Sequence, residues 1–438
     1  MSHHDRRRFL ELSAAGVAGA AATALPELVD AAKEPMPFKP EKGASLQLLR
    51  WSEFVKNDHV VWEENTKKFT ELTGVPVQIQ WLSWPDVSPK SALSAQVNSG
   101  PDITMGFYND PFLYPDKLVD VSDLVSLLSK QNGGFFDIAK TYAYHQELKR
   151  WVGLPIGSPG NAMNYRKDWM EQAGFQSFPE DTDGMLKLAQ AMKKQGHPCG
   201  FTLGHAVGDG NGWTHWIFWG YGAKQVNPDN TPAINSEATL ACLDYVRQLY
   251  ETMIDGVASW GDPSNNQAFL AGRIGLTMNG ISIWYVAKDQ YPQVAAAMDH
   301  AIPGYGPLKL RTLFNTFTQA FIWKYSKYPN AAKAYLYFML QEPQAAPWVT
   351  GMRGYVTPAL RGYTKLPVWT SDSKITPFRD VLAGARFDGF AGVPGKGAAQ
   401  TMDAFVLVDM FADVCINKMT PKAAVLKAEN RIAGFYKT

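Results

Sequence analysis

The chain has 438 residues, with 42 Lys and Arg against 41 Asp and Glu, and a formal charge of +1. That balance excludes a nucleic-acid binder working by general electrostatics, which needs a marked basic excess. At 46% hydrophobic and 19% charged residues the sequence is globular rather than disordered, with length for roughly two to three domain-sized cores.

The first segment is not read as part of the fold. Arg6, Arg7, Arg8, Phe9 and Leu10 precede a small apolar run from Ala14 to Leu25 that ends at Pro26. This pattern resembles a twin-arginine export signal, with Arg6 and Arg7 as the pair. The run falls short of the ~20 apolar residues that span a bilayer, and Ala22-Thr23-Ala24 offers a small-x-small cleavage site. Residues 1–32 are therefore expected to be a cleaved signal peptide and 33–45, with Pro35, Pro37 and Pro40, an extended leader.

Leu46 to Trp51 reads as a buried strand. A helix follows from Asp58, as N-cap, to Leu72, with Trp62, Phe69 and Leu72 on one stripe and Gly74 as its stop. Val75, Val77, Ile79 and Trp81 alternate as a second strand, Ser91 to Asn98 is helical, and Pro101 to Phe107 forms a third strand. Strands alternating with helices at this spacing predict a parallel sheet with right-handed crossovers, in which ligands sit beyond the carboxyl ends of the strands. A second α/β region follows Gly153-Leu154-Pro155, with helices near 167–172, 183–195 and 238–253. Between them, Gly208, Gly210, Gly212, Trp213, Trp216, Trp219 and Gly222 read as a loop-rich stretch. Helix 266–271, strand 273–278, the turn Asn279-Gly280, strand 317–323 and a helix opened by Pro329 come next, and two helical runs, 398–417 and 421–435, close the chain.

The 14 tryptophans fit either a large core or a ligand cleft lined with rings, and composition does not separate the two. Cys199, Cys242 and Cys415 are too few and too dispersed for a metal cage or a disulfide framework, although one bridge stays open. The histidines show no His-x-x-His or His-Glu-x-x-His spacing, so no metal site and no cofactor are expected. Gly395-Lys396 lacks both the earlier Gly and the following Ser or Thr of a P-loop.

Several stretches together resemble the periplasmic solute-binding proteins of ABC importers, in particular the maltose-binding-like extracellular solute-binding family 1 that serves carbohydrate uptake. They are Phe69 to Gln80, with Thr73-Gly74-Val75-Pro76-Val77; Gly100-Pro101-Asp102-Ile103; Gly153-Leu154-Pro155 leading to Asn164-Tyr165-Arg166-Lys167-Asp168; Ala268 to Leu276; and Asn330-Ala331-Ala332-Lys333-Ala334. The resemblance covers nearly the whole mature chain. It implies an α/β fold of two discontinuous lobes, about 46–154 plus 318–356 and 155–317 plus 357–438, joined by a hinge around an interlobe cleft. It also implies a periplasmic, monomeric receptor that binds a solute without chemistry and hands it to the membrane permease after hinge closure.

A sugar offers an apolar face and a rim of hydroxyls, so its site needs aromatic platforms with carboxylates, amides and Arg; an unpaired buried polar group costs roughly 1 to 3 kcal/mol. After the first strand, Glu53 fits this chemistry, and Trp51 either joins it or fills core. Trp84 and Asp86 read as residues of the loop beyond the second strand and as ligand contacts. By the resemblance, Asn109 and Asp110 fall where polar groups meet hydroxyls, and Asn279, Ser282 and Trp284 where a ring or polar contact is common. Trp213 and Trp216 follow a glycine cluster that lets backbone approach a ligand, although one or two of Trp213, Trp216 and Trp219 belong to core. Arg353 and Tyr355 lie at the implied recrossing of the hinge. Two rival functions use similar residues: a secreted glycoside hydrolase, whose two carboxylates Glu53, Asp86 and Asp110 could supply, and a binder of a non-sugar solute such as a polyamine or a phosphate ester.

Overall fold

The computed structural model describes residues 36–52 and 54–437. The expected signal peptide, the first residues of the leader and Glu53 lie outside the described residues. Within the leader, the chain turns at Lys42-Gly43, and Ala44 donates its amide to the Glu41 carbonyl. The Glu41 carboxylate accepts the amides of Asn330 and Ala331, at 2.9 and 3.0 Å, and so caps the helix Pro329–Met339.

Among the described residues eleven strands form the framework. Six of them, β1 (Leu46–Trp51), β2 (Val77–Leu82), β3 (Ile103–Phe107), β6 (Leu154–Pro159), β10 (Thr318–Ile322) and β11 (Val356–Pro358), make one sheet in the order β11-β6-β10-β3-β1-β2. β1 is parallel to β2 and β3, with Leu48 opposite Ile79 and Ile103, whereas β10 runs antiparallel to β3 and β6. A short pair, β4 (Tyr144–His145) and β5 (Arg150–Trp151), stands apart. The third sheet is antiparallel, with β7 (Ala162–Arg166) between β8 (Leu276–Asn279) and β9 (Met298–Ala301). The chain leaves the large sheet at Pro159 and enters the small one at Ala162, so Gly160 and Asn161 make the first connection between the two, and it returns between β9 and β10.

The first crossover explains how the large sheet is clad. Helix α1 spans Lys56–Thr73 and stops at Gly74, whose φ of 73° is a left-handed conformation that glycine adopts without strain. Asp58 is not its N-cap. It lies inside the first turn, where its carboxylate accepts Arg50 at 2.6 Å and the Trp348 indole N–H at 2.8 Å, all three side chains being buried. Trp62 and Phe69 face the helices Pro329–Met339 and Glu342–Gly351, with Trp62 set edge-on to Trp348 and its indole N–H donating to Tyr335. Leu72, expected on that stripe, is 58% exposed instead.

Two expectations of local structure are corrected. Helix α2 spans Trp84–Val97, seven residues longer at its start than the Ser91 onset read from the pattern, because Pro85 occupies the first turn, where its missing N–H and fixed φ cost nothing. The glycine-rich stretch after Gly208 is also a helix, Asp209–Gly220, buried along its whole length. Gly210 and Gly212 disguise it because propensity is a weak prior that tertiary packing overrides. All three cysteines are buried free thiols, so the possible bridge is not formed.

Nine of the 14 tryptophans are almost wholly enclosed: Trp51, Trp62, Trp213, Trp216, Trp219, Trp284, Trp323, Trp348 and Trp369. Most of the indole supply therefore builds core. The Arg50–Asp58 pair sits within it, and removing one partner of such a pair strands a buried charge. Asp58→Ala is expected to lower unfolding free energy by ~3–5 kcal/mol, and the double change Arg50→Met with Asp58→Leu to recover most of that. Urea melts of the two variants check this; a loss below ~1 kcal/mol in Asp58→Ala would show the pair to be dispensable.

Candidate functional site

The segments that follow the carboxyl ends of β1 and β2 bring Phe54 and Trp84 to the edge of the large sheet, and their rings meet edge-on at 5.4 Å. Pro159 at the end of β6, Thr316 before β10 and Tyr355 before β11 complete that wall of a narrow cavity whose free space, about 20 Å³, is that of a single water. The opposite wall comes from the region of the small sheet: Asn161, Gly208 and Asp209, Asp262, Asn266, and Asn279, Gly280 and Ser282 at the end of β8. The cavity thus lies between the two sheets.

Its polar wall is tightly wired. The Asp262 carboxylate accepts the backbone amides of Val207 and Gly208 at 2.8 Å each and of Asp209 at 3.1 Å. It thereby satisfies the orphan donors at the start of the helix Asp209–Gly220, whose positive dipole end favours an anion. Asn279 donates to Asn265 at 2.9 Å and to Asn266, and its own oxygen accepts Gly280 N–H at 2.6 Å; Asn266 in turn donates to Ser282 at 2.9 Å. Burial, followed by the nearby Asp262 charge, pushes the Asp209 carboxyl well up from its ordinary value, with Asn265 opposing. Two polar atoms at the wall have no hydrogen-bond partner within the protein, the Trp84 indole N–H and the Tyr355 hydroxyl, although their residues are only 6% and 2% exposed.

The glycines at this wall permit close approach. A Cβ on Gly208 would stand 2.8 Å from the Trp84 ring, and one on Gly212 would stand 2.5 Å from the Asn161 amide nitrogen.

The sequence-selected residues divide accordingly. Trp84, Asn279, Ser282 and Tyr355 line the cavity together. Trp51 is core, its ring 5.5 Å from Phe107 and under the Arg50 guanidinium. Trp213 and Trp216 also pack inside, their indole N–H groups taken by the carbonyls of Thr202 and Gly304 at 2.7 and 2.9 Å. Trp284 is buried under the Lys288 ammonium, which lies 4.5 Å from its ring. Asp86 belongs to the first turn of α2 and accepts the Ser83 hydroxyl at the surface. Asp110 is held by Phe107 N–H at 3.1 Å and the Ser88 hydroxyl at 3.0 Å. Arg353 donates to the Tyr285 carbonyl and to Asp289, at 3.2 and 2.9 Å. Phe54, Asn161, Asp209, Asp262, Asn266 and Thr316 were not singled out from sequence. A run of small and polar residues at Gly208-Asp209-Gly210-Asn211 and the pair Asn265-Asn266 were the available signals.

A second, larger cavity of about 380 Å³ shares Trp84 and is lined further by Phe107, Tyr108, His205, Val207, Met402 and Phe405. The Tyr108 hydroxyl, donating to the Val207 carbonyl at 2.6 Å, stands at its wall. Behind it Asn109 donates at 2.6 Å to Asp388, whose carboxylate is buried.

This architecture, two sheet-centred lobes with a cavity between them, is that of the two-lobe periplasmic binding proteins. It superposes on a sugar transporter protein from Arthrobacter chlorophenolicus A6 solved with bound laminaribiose, with a TM-score of 0.78 at 14% identity, covering 89% of this chain and 99% of the other. A maltose-bound protein of T. maritima matches at TM-score 0.77 and 15% identity, over 89% and 99% of the two chains. A solute-binding protein from Thermotoga lettingae TMO, bound with α-D-tagatose, gives 0.76 and 16%, over 90% and 100%. Curated relatives from Brucella abortus and Brucella suis, named only as binding proteins, are 26% identical across 242 residues; the match takes in 54% of this chain and just 57% of theirs. Residues 64–377 match the family of bacterial extracellular solute-binding proteins, and the chain belongs to that family. The resemblance read from the sequence is upheld. Among the described residues no helix is long and apolar enough to cross a membrane.

Asp388, buried behind Tyr108, gives the stability of the fold a pH signature. Burial pushes its carboxyl up to about 7, with the Asn109 amide opposing. In the unfolded chain the group releases its proton near its ordinary value of about 4. The folded state therefore binds more protons between about pH 4 and 7, and the Asp388 contribution to stability falls as pH rises through that window. The buried imidazoles of His215 and His300, lowered by burial to about 4 and about 3, act in the opposite direction, losing stability as pH drops below about 6.5. Comparing wild type with Asp388→Asn isolates the carboxyl. Wild type is expected to gain ~1–3 kcal/mol relative to the variant between about pH 8 and about pH 5, read by urea melts. An unchanged difference would refute the raised carboxyl.

Proposed function

We propose that this chain is the exported, periplasmic substrate-binding component of an ABC importer, taking a sugar or oligosaccharide into the interlobe cleft around Trp84 when the lobes part and delivering it to the membrane permease by hinge closure. The observation that carries this reading is the pair of buried polar atoms without a partner on residues that line the cleft, the Trp84 N–H and the Tyr355 hydroxyl, in a lining that also holds Asn279, Asn266 and Ser282. Flat rings match the C–H face of a sugar and these polar groups match its hydroxyls. The names of the similar solved proteins, bound to laminaribiose, maltose and tagatose, support the same class of ligand.

In this reading the lobes are about 46–154 plus 318–356 and 155–317 plus 357–438, and the connections around Gly160, between β9 and β10, and after β11 serve as the hinge. Export runs through the twin-arginine machinery, with the signal removed near residue 32, and the mature receptor works as a monomer that leaves the bonds of its ligand intact. Against the hydrolase reading, Asp86 and Asp110 are held by Ser83, Phe107 and Ser88 away from the cavity lining, and Glu53 lies outside the described residues. A phosphate ester is disfavoured by a described lining that holds two Asp and no Lys, Arg or His.

A thermal-shift screen of the protein against a saccharide library is expected to raise Tm for at least one sugar. Trp84→Ala should weaken that sugar by on the order of 10- to 100-fold in calorimetry, whereas Trp213→Phe, a core change, should leave affinity within about threefold. Stabilisation by no saccharide, or cleavage of the bound glycan, would reject the proposal.

A further inference from the structure

Helix α2 carries two apolar stripes. One of them, with Trp84, Val87 and Ala95, is buried. The other, Pro85, Pro89 and Ala92, repeats at helical spacing on an exposed face and lines the larger cavity, whose free space of about 380 Å³ admits an organic group in the conformation observed. The lining also takes in Met402, near the end of the helix Lys396–Asp403, and Phe405, which precedes the helix Val406–Cys415. The Phe405 ring lies flat on the His205 imidazole, with centroids 4.5 Å apart and planes within 3°. Phe405 and Tyr108 both hold left-handed backbones, with φ of 52° and 45°, although neither is a glycine, and both line this one cavity. Bulky side chains rarely adopt that conformation, and strain of this kind gathers at ligand sites.

Most polar groups of the lining are already committed within the protein. The Tyr108 hydroxyl and the Asn211 amide donate to the Val207 carbonyl at 2.6 and 3.2 Å. The Ser88 hydroxyl donates to Asp110 at 3.0 Å, and His205 Nε2 stands 2.7 Å from the Asp409 carboxylate. Among the described lining residues the Trp84 N–H, the Tyr114 hydroxyl and the Asp403 carboxylate remain to meet a ligand. Three such groups are too few for the hydroxyls of a second sugar ring, each of which would give up water without return. An apolar group asks for none of them and gains by covering the exposed stripe.

We propose that this cavity takes the apolar aglycone of a glycoside, an aryl or short alkyl group packed among the Pro85-Pro89-Ala92 stripe, Met402 and Phe405, while the sugar it carries occupies the cleft around Trp84. This rests on the saccharide reading above and adds the chemistry of the group attached to the sugar. A free hydrocarbon does not complete the site, because the buried Trp84 N–H needs an acceptor, which a glycosidic oxygen or a sugar hydroxyl supplies.

The test is calorimetry on the whole chain with matched pairs, the phenyl and methyl β-glycosides of glucose, galactose and mannose, with phenol as the bare aglycone. In at least one pair the phenyl member is expected to bind about tenfold or more tighter than the methyl one. Ala92→Phe, which fills the space from an exposed position of α2, should erase that preference. A wild-type series of methyl, ethyl, propyl and butyl glycosides should gain up to about fourfold per methylene, a reading that needs no variant to fold. Equal binding of phenyl and methyl members overturns the aglycone assignment and leaves the sugar receptor standing. A phenyl preference that survives Ala92→Phe overturns this cavity as its seat. Binding of phenol with no glycoside overturns the saccharide reading as well, and binding of no probe overturns the aglycone assignment.

Discussion

One carboxylate organises the site. Asp262 reaches across to the backbone amides of Val207, Gly208 and Asp209 and supplies the cap that the helix Asp209–Gly220 lacks in its own sequence, where Gly208 stands at the N-cap. Without it, the first N–H groups of a helix buried along its whole length would be orphaned, a cost of about 1–3 kcal/mol for each group. The same contact that secures the helix sets two acidic side chains on one wall of the cavity.

The facing wall follows from sheet topology. β1 and β2 are parallel, so the segments that leave their carboxyl ends emerge at the same edge, and Phe54 and Trp84 arrive there as neighbours. Pro85 then starts α2 directly behind Trp84, which fixes the indole on a helical turn rather than a mobile loop. A rigid ring loses little conformational freedom on binding, an advantage for any ligand that stacks against it. Gly208 answers from the other side, since any side chain there would strike that ring.

The antiparallel insertion of β10 between β3 and β6 ties the large sheet to the segment that crosses to the small one. Thr316 and Asn315 precede it: Asn315 accepts the Asn161 amide at 2.9 Å, and Thr316 accepts the Tyr108 hydroxyl at 3.1 Å. These contacts link the crossing strand to both walls. A movement of one lobe against the other would have to be absorbed in the few residues around Gly160 and before β10, which is where the hinge is proposed.

Much of the architecture was legible from residue pattern. Alternation and apolar runs identified β1, β2, β3 and β10, the stop at Gly74 and the closing helix Pro421–Phe435, because these depend on local periodicity and on backbone conformations that particular residues impose. Trp84 was expected near a ligand because it follows a strand end, Asn279 and Ser282 because the family resemblance implied a contact there, and Tyr355 because it lies at the implied recrossing of the hinge; all four line one cavity. The sequence by itself also determined that the chain is globular, nearly neutral and rich in indole. Only the tertiary structure decided which indoles build core and which one faces a cavity, since Trp213, Trp216 and Trp284 have the same chemistry as Trp84 and differ in what packs on them. It alone brought Asp262 to Asp209, 53 residues apart, because charge pairing and helix capping across a fold depend on where distant loops meet and leave no periodic trace in the chain.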